Sequence, residues 1–445
     1  MQTIKLKRGL DIPFEGAAEL TLGSASRPEI FHIVPDHFAG ITPKMMVKEG
    51  DLVKAGSPLF HDKAFEDMLF TSPVSGKVIG VIRGDRRKVM SIDIEADAAI
   101  QYEKFDTKED VKALLLKSGL WALIKQRPYD CIAMPSKTPR AIFISSFDSA
   151  PVAPDYEFVL ADQMPMIQAG IKALSRMAPV FVGIQAGAKA TGFRALKDCT
   201  LFEVAGPHPA GNVGVQINHI APLAKGETVF TVNIQDLALI GRLFAKGIVD
   251  LQKKVALTGP LAREHKYYNV LPGMPVSAIF DCNIYKECPC RLIAGNVLSG
   301  HQIDMNDMIS VYDNQYTVLD EGSENHEFMG WLLPRFKSFN SSCTDPAKFL
   351  QDFFKCKHFE WDARLKGGRR AIIVSGEYDK VFPMDIYPEY LIKAMIAGNI
   401  DRMEALGAYE VAPEDFALCE YVCTSKMPLQ AIVRQALDNL KKEIE

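Results

Sequence analysis

The spacing of apolar and polar residues predicts a β-rich unit over residues 1–105. Short apolar runs such as Ile30–Val34, Lys77–Ile82 and Val89–Ile94 are separated by Gly and Pro at close, regular intervals. This pattern is typical of hairpins in a compact β domain.

Between residues 106 and 258, helical and strand patterns alternate. Amphipathic spacing predicts helices over Lys108–Lys125, Pro165–Met177 and Ile234–Lys246. Short apolar runs predict strands over Ala141–Ser145, Pro179–Ile184, Thr200–Ala205, Val229–Ile234 and Lys254–Thr258. Alternation of this kind indicates a Rossmann-like α/β domain with right-handed crossovers.

The rest of the chain predicts two further units. Short strand patterns in Leu271–Phe280 and Cys290–Gly300 indicate a small β+α module over residues 259–330. Residues 331–445 are predicted to be mainly helical, and the final segment carries one apolar stripe: Leu429, Ile432, Val433, Ala436, Leu437, Leu440 and Ile444. The fold class is therefore a multidomain combination of α/β and α+β units.

Charge and hydropathy exclude two classes of function. The 445 residues include 51 Lys and Arg against 55 Asp and Glu, giving a formal charge of −4. Nucleic-acid binding requires a basic face, so we expect no nucleic-acid partner. No apolar stretch reaches the roughly 18–20 residues that span a bilayer, and the basic start of the chain lacks the apolar segment of a signal peptide.

One segment of the β-rich unit, Gly50–Val78, resembles a lipoyl or biotinyl carrier domain with a barrel-sandwich fold. In such carriers a Lys at a hairpin tip holds the swinging arm, and Lys63 falls near that place. The acidic-aromatic insert at residues 65–68 is foreign to a modified tip. We therefore expect the carrier fold without the carrier function. A lipoyl or biotinyl carrier protein is kept as an alternative function.

Two glycine-rich segments follow strands of the α/β unit, Gly183–Gly192 and Gly206–Gly214. Neither has the glycine spacing that brings backbone N–H groups onto a pyrophosphate at a helix N-terminus. An autonomous flavin or NAD oxidoreductase is thus an alternative supported by fold alone.

The most distinctive loop in the sequence contains His208, Pro209, Gly211 and Asn212. Loops rich in Pro often shape a contact surface, but the preferred interpretation is a rigid turn with a solvated His208. The adjacent carboxylates Glu414 and Asp415 are likewise expected to be solvated.

The nine cysteines do not predict a metal site. Cys282, Cys288 and Cys290, like Cys343, Cys356 and His358, lack the paired spacing that holds a tetrahedral ion. Cys419 and Cys423 look like the remnant of a ferredoxin-type run that has lost half its thiols, too few for a [4Fe–4S] cluster. We expect two small buried residues on one helix face.

The chain as a whole resembles the A-subunit family of the sodium-translocating NADH:quinone oxidoreductase. Matching segments occur in order at Ile4–Pro13, Val47–Val78, Gly206–Gly211, Met403–Gly407 and Leu418–Cys423. More distantly, the chain is similar to the C-subunit of the Rnf complex and to the NADH-binding large subunit of respiratory complex I.

This resemblance implies four units: a barrel-sandwich domain, a Rossmann-like domain, a β-grasp (SLBB-like) module, and a helical domain related to ferredoxin-type domains but lacking cluster ligands. It implies a peripheral subunit on the cytoplasmic side of the bacterial inner membrane, docked on the membrane B-subunit of a six-subunit translocase and contacting the membrane only through partners. The complex would pass electrons from NADH to quinone and export sodium, using FAD, FMN, riboflavin and an iron–sulfur centre. The chain itself would bind no cofactor or metal and would not be catalytic alone, although the loop of His208, Pro209, Gly211 and Asn212 could contact quinone or another subunit.

Overall fold

The computed structural model describes residues 1–281, 283–285, 289–323, 338–339, 341, 346–354 and 358–444. The strands in this part of the chain are β1 (Gln2–Lys5), β2 (Leu22–Gly23), β3 (Ile30–Ile33), β4 (Pro43–Met45), β5 (Leu52–Val53), β6 (Pro58–Asp62), β7 (Leu69–Thr71), β8 (Gly76–Arg83), β9 (Val89–Ala96), β10 (Ile124–Arg127), β11 (Cys131–Ile132), β12 (Ile142–Ser145), β13 (Val180–Gln185), β14 (Thr200–Ala205), β15 (Val229–Val232), β16 (Lys253–Thr258), β17 (Tyr267–Val270), β18 (Cys290–Ala294), β19 (His301–Ile303) and β20 (Gln315–Asp320).

The helices in the same residues are α1 (Val111–Lys117), α2 (Tyr156–Val159), α3 (Met164–Leu174), α4 (Thr191–Arg194), α5 (Val213–Ile220), α6 (Ile234–Lys246), α7 (Ser277–Phe280), α8 (Pro346–Phe353), α9 (Glu377–Val381), α10 (Pro388–Ile396), α11 (Ile400–Ala405), α12 (Ala417–Val422) and α13 (Leu429–Ile444). None of these helices is long and apolar enough to cross a bilayer.

Two small antiparallel sheets follow the first two strands. One has the order β3-β9-β8-β5 and the other β4-β6-β7. Phe60 and Phe70 stack with ring centroids 4.7 Å apart, and both are fully buried together with Phe31. Because side chains alternate across a strand, each sheet turns one apolar face inward and builds a shared core.

The α/β part is a sheet with the order β1-β14-β13-β12-β15-β10-β11. Strands β1, β14, β13, β12 and β15 are parallel, whereas β10 and β11 pair antiparallel at one edge. Strand β14 has the bounds predicted from its apolar run. The predicted helix over Lys108–Lys125 is too long, because Gly119 adopts a left-handed conformation with φ of 77° after α1 ends.

The strand predicted at Lys254–Thr258 does not belong to the α/β sheet. It lies as β16 in the second sheet, which has the order β19-β18-β20-β16-β17-β2, and pairs with β20 and β17. A short apolar run fits either sheet, so pairing is decided by contacts far along the chain. One such contact is the buried Lys253, whose Nζ donates to Asp236 Oδ1 on α6 at 2.9 Å and to Val311 O at 2.6 Å.

The C-terminal helices form a core of their own against the far face of the α/β sheet. The predicted stripe on α13 is buried at Leu429, Val433, Ala436, Leu437 and Leu440. Ile444, at its end, is exposed. Other residues of this core come from β1 and β14, including Ile4, Phe202 and Val204.

Candidate functional site

A cavity of about 210 Å³ lies at the carboxyl ends of β12 and β15, which are neighbours in the α/β sheet. From β12 the chain continues through β13 and β14 on one side, and it reaches β15 on the other. Open α/β sheets bind ligands where the strand order reverses in this way, because the connections leave a crevice between them. This cavity is therefore the candidate site.

Part of the cavity lining lies at the end of β12 and at the starts of α5 and α6. Ser145 ends β12, and its Oγ accepts a hydrogen bond from Gln216 Nε2 at 2.9 Å. Asn212 and Asn233 precede α5 and α6, and Asn233 Oδ1 accepts from the backbone N–H of Gln235 at 2.9 Å. The short polar side chains that precede the two helices thus also face the cavity.

The side chains of Lys125, Tyr312 and Asn314 also line the cavity. The ammonium of Lys125 lies 5.5 Å from the centroid of the Tyr312 ring. Asn314 Oδ1 is buried and has no hydrogen-bond partner in the described residues. Because a side-chain amide carries one acceptor and two donors, this position can satisfy a polar group of a ligand.

Among the described residues, four carboxyl groups line the cavity, those of Asp130, Asp148, Asp236 and Glu414, against the single cation Lys125. Burial raises the pKa of Glu414 to about 7, although Arg127 opposes the shift and the side chain is 42 % exposed. Burial also favours the neutral form of Asp130, but Lys125, Arg127 and Arg434 outweigh it and lower the pKa of that carboxyl. Asp236 is also paired with Lys253, and Glu414 with Arg127, so most of these carboxyl groups already lie beside a cation. A lining with little unpaired charge suits an uncharged polar ligand.

The loop singled out from the sequence lies beside this cavity and contributes Gly211 and Asn212 to its lining. A Cβ on Gly211 would lie 2.5 Å from the backbone N of Ser149, so the loop and the segment after β12 approach closely. Pro209 follows His208 through a cis peptide bond.

His208 is not solvated, and its expected exposure is wrong. The side chain is only 4 % exposed, its Nδ1 lies 3.0 Å from Ser149 Oγ, and its backbone N–H donates to Asp11 Oδ1 at 2.8 Å. Burial lowers the pKa of His208, while Asp148 and Asp11 act in the opposite direction. The imidazole therefore holds the loop in place from behind the cavity wall.

The expected solvation of Asp415 is also wrong, whereas the neighbouring Glu414 side chain is 42 % exposed. Asp415 is fully buried, and its Oδ2 accepts from Arg127 Nη1 at 2.8 Å. Arg127 Nη2 donates to Glu414 Oε1 at 3.0 Å. Because these groups are nearly 290 residues apart, no local pattern predicts the pair, which joins β10 to the C-terminal helices.

Sequence reasoning also missed Lys125, Asn233 and Asn314. Asn233 had a signal, since it lies near the end of a predicted strand and directly before a predicted helix, where a helix-capping side chain meets the carboxyl edge of the sheet. Lys125 fell inside the over-long predicted helix, and Asn314 had no pattern of its own.

The cysteine predictions have separate outcomes. Cys419 and Cys423 are both buried, as expected, but they do not share a helix face, because α12 ends at Val422. Tyr378 Oη lies 2.9 Å from Cys423 Sγ. Cys282, Cys288, Cys343 and Cys356 lie outside the described residues. Within the described part of the chain, no group of three or more His, Cys, Asp or Glu side chains is placed to hold a metal ion.

Lys63, the residue near the place of a carrier lysine, is exposed between β6 and β7.

Models of three domains of one family match consecutive parts of the chain. The NqrA N-terminal barrel-sandwich hybrid domain matches residues 4–97, the NqrA second alpha/beta domain residues 106–249, and the NQRA C-terminal domain, of SLBB type, residues 254–304. These matches confirm the fold class expected from the sequence.

Full-length relatives agree with the domain matches. The A-subunit of the Na(+)-translocating NADH-quinone reductase of Yersinia pseudotuberculosis is 34% identical over 453 residues, covering 99% of this chain and 100% of the relative. The protein of that name from Pasteurella multocida is 34% identical over 451 residues with the same coverage. A NAD+-reducing [NiFe]-hydrogenase structure covers 69% of this chain and 60% of its own, with 11% identity and a TM-score of 0.34, which supports no inference. On the full-length matches, the chain belongs to the A-subunit (NqrA) family of Na+-translocating NADH-quinone reductases.

Proposed function

We propose that the chain is a docking subunit of such a reductase, attached to the membrane B-subunit on the cytoplasmic side of the bacterial inner membrane and contacting the membrane only through its partners. The observation that carries this proposal is the collinear match, which extends over 99% of the chain and the whole length of its relatives. An interface takes residues from several parts of a chain. A match over the whole length therefore favours the same position in the assembly for this chain and its relatives.

Within this proposal, electron transfer from NADH to quinone and the export of sodium belong to the assembled complex. The FAD, FMN, riboflavin and iron–sulfur centre would be held by other subunits, and the isolated chain would not be catalytic. Two features support this division: the glycine-rich segments lack phosphate-binding spacing, and four carboxyl groups line the cavity at the switch point.

We further propose that the cavity contacts the headgroup of quinone, with Gly211 and Asn212 in its wall and His208 and Pro209 supporting them. A quinone headgroup is uncharged and carries two carbonyl acceptors. Lys125, Asn212 and Asn314 offer donors around a space of about 210 Å³. Asn314 is the most informative of them, since its buried amide oxygen has no partner among the described residues and an amide rotation presents the NH₂ group instead.

The quinone contact is tested by the variant Asn314→Ala. We expect its affinity for a short-chain ubiquinone, measured by calorimetric titration of the purified chain, to fall about tenfold, because one buried hydrogen bond contributes about 1–1.5 kcal/mol. Asn269→Ala, at an exposed position on β17, is the matched control and should bind as the unchanged chain does. Equal affinity of Asn314→Ala and the control would contradict the contact.

The subunit role is tested in the cells that encode the chain. Deleting its gene should abolish Na+-dependent NADH:quinone reductase activity in isolated membranes, and a plasmid copy should restore it. Because the NADH-oxidising step would belong to another subunit, NADH oxidation by an artificial electron acceptor should persist in the deletion strain. Full quinone reductase activity without the chain would contradict the proposal.

A further inference from the structure

The hairpin that joins β8 to β9 ends in a strongly basic tip. Residues 82–88 are all exposed, and they are called the basic tip here. Four of the seven are cations, Arg83, Arg86, Arg87 and Lys88, against one acidic residue, Asp85. The chain as a whole carries a formal charge of −4, so the net charge of the tip is opposite in sign to that of the chain.

The conformation of the turn does not favour arginine. The backbone N–H of Lys88 donates to Asp85 O at 3.1 Å, and Arg86 and Arg87 between them have φ of 54° and 62°. Two consecutive left-handed residues define a type I′ turn, for which Asn-Gly is the preferred pair. A side chain with a Cβ is strained there, and such strain is found where function requires particular residues.

The two strained arginines have no charged partner of their own. In the part of the chain that the structure describes, no carboxylate lies within ion-pair distance of Arg86 or Arg87, whereas Lys88 Nζ is 2.5 Å from Asp36 Oδ2. Exposed apolar side chains stand on either side of these cations in the sequence: Ile82 is 49 % exposed and Met90 46 %. A protein interface usually has an apolar centre and a polar or charged rim, and Arg is enriched in it.

We propose that the basic tip docks on an acidic surface of a partner protein in the complex. The proposal rests on the subunit role proposed above and adds where one contact is made. The hydrogen-bonded turn fixes the backbone positions of both arginines, and each guanidinium can then form a two-pronged hydrogen-bonded pair with a carboxylate at a defined position on a partner. A fluid anionic lipid surface offers no such fixed positions, so the strained turn favours a protein partner.

The test uses a variant that suits the turn better than the natural sequence. Arg86→Asn combined with Arg87→Gly supplies the preferred type I′ pair and removes two charges. Lys7→Asn combined with Arg8→Gly removes two adjacent exposed cations elsewhere and is the matched control. Each purified chain is added to membranes that contain the other subunits but lack this one, and the bound fraction is measured against NaCl concentration.

We expect the tip variant to bind about tenfold more weakly than the control at about 0.15 M NaCl, with a smaller dependence on salt. Its unfolding temperature should be at least that of the unchanged chain. Equal binding of tip variant and control would overturn the proposal, as would a lower unfolding temperature. Binding of the unchanged chain to phosphatidylglycerol vesicles without other subunits, lost in the tip variant, would also overturn it in favour of a lipid surface. If the unchanged chain fails to bind the membranes, the subunit role itself fails.

Discussion

Replacing Asp415 by alanine is expected to lower the free energy of unfolding by about 3–5 kcal/mol. The carboxylate is fully buried 2.8 Å from Arg127 Nη1, and the arginine side chain is only 2 % exposed. Removing Asp415 leaves a buried guanidinium that cannot reach water. Glu414, 3.0 Å from Nη2, keeps part of the pairing and sets the lower end of the range. The measurement is chemical denaturation of the purified chain.

The matched control is Lys44→Ala, which breaks an exposed pair with Glu66. An exposed pair of this kind contributes about 0–1 kcal/mol. The double variant Arg127→Met with Asp415→Leu should be less destabilised than Asp415→Ala, because it leaves no buried charge. A loss from Asp415→Ala no larger than that of the control would contradict this account.

The variant Gly241→Ala is expected to destabilise the chain by about 3 kcal/mol. Gly241 lies inside α6, where α3 packs against it, and a Cβ at this position would lie 1.7 Å from the backbone oxygen of Met166. The two helices would have to separate, because a backbone oxygen cannot turn aside as a side chain can. Helix propensity alone predicts the opposite sign, a gain of about 1 kcal/mol.

The control for this variant is Gly368→Ala, since a Cβ there meets nothing within 4 Å. Its free energy of unfolding should stay within about 0.5 kcal/mol of the unchanged chain. Stabilisation by Gly241→Ala would show that the helices do not pack as described.

Local patterns predicted the elements of the chain better than their pairing. The apolar run of β14 gave both ends of that strand, and the stripe on α13 gave its buried face. By contrast, β16 was assigned to the wrong sheet, and nothing local indicated that Gln2–Lys5 pairs with β14 about 200 residues away. Strand partners are chosen by burial and packing over the whole molecule, which a short run of residues does not contain.

The candidate site shows the same division. Gly211 and Asn212 could be singled out because Pro and Gly mark an unusual loop, and both do line the cavity. The burial of His208 and the pairing of Arg127 with Asp415 could not be predicted from the sequence, because each depends on a partner that the fold brings close. Charged and polar groups that look solvated in a sequence are buried where a distant partner satisfies them.

The central claim is that this chain is one subunit of a membrane-bound reductase. It is tested most directly by tagging the chromosomal copy, solubilising membranes in mild detergent and identifying what is retained with the tag. We expect that the membrane B-subunit and the other subunits are recovered in equal amounts with the chain, and that the purified complex reduces quinone with NADH. Recovery of the chain alone, from cells in which the other subunits are present, would contradict it.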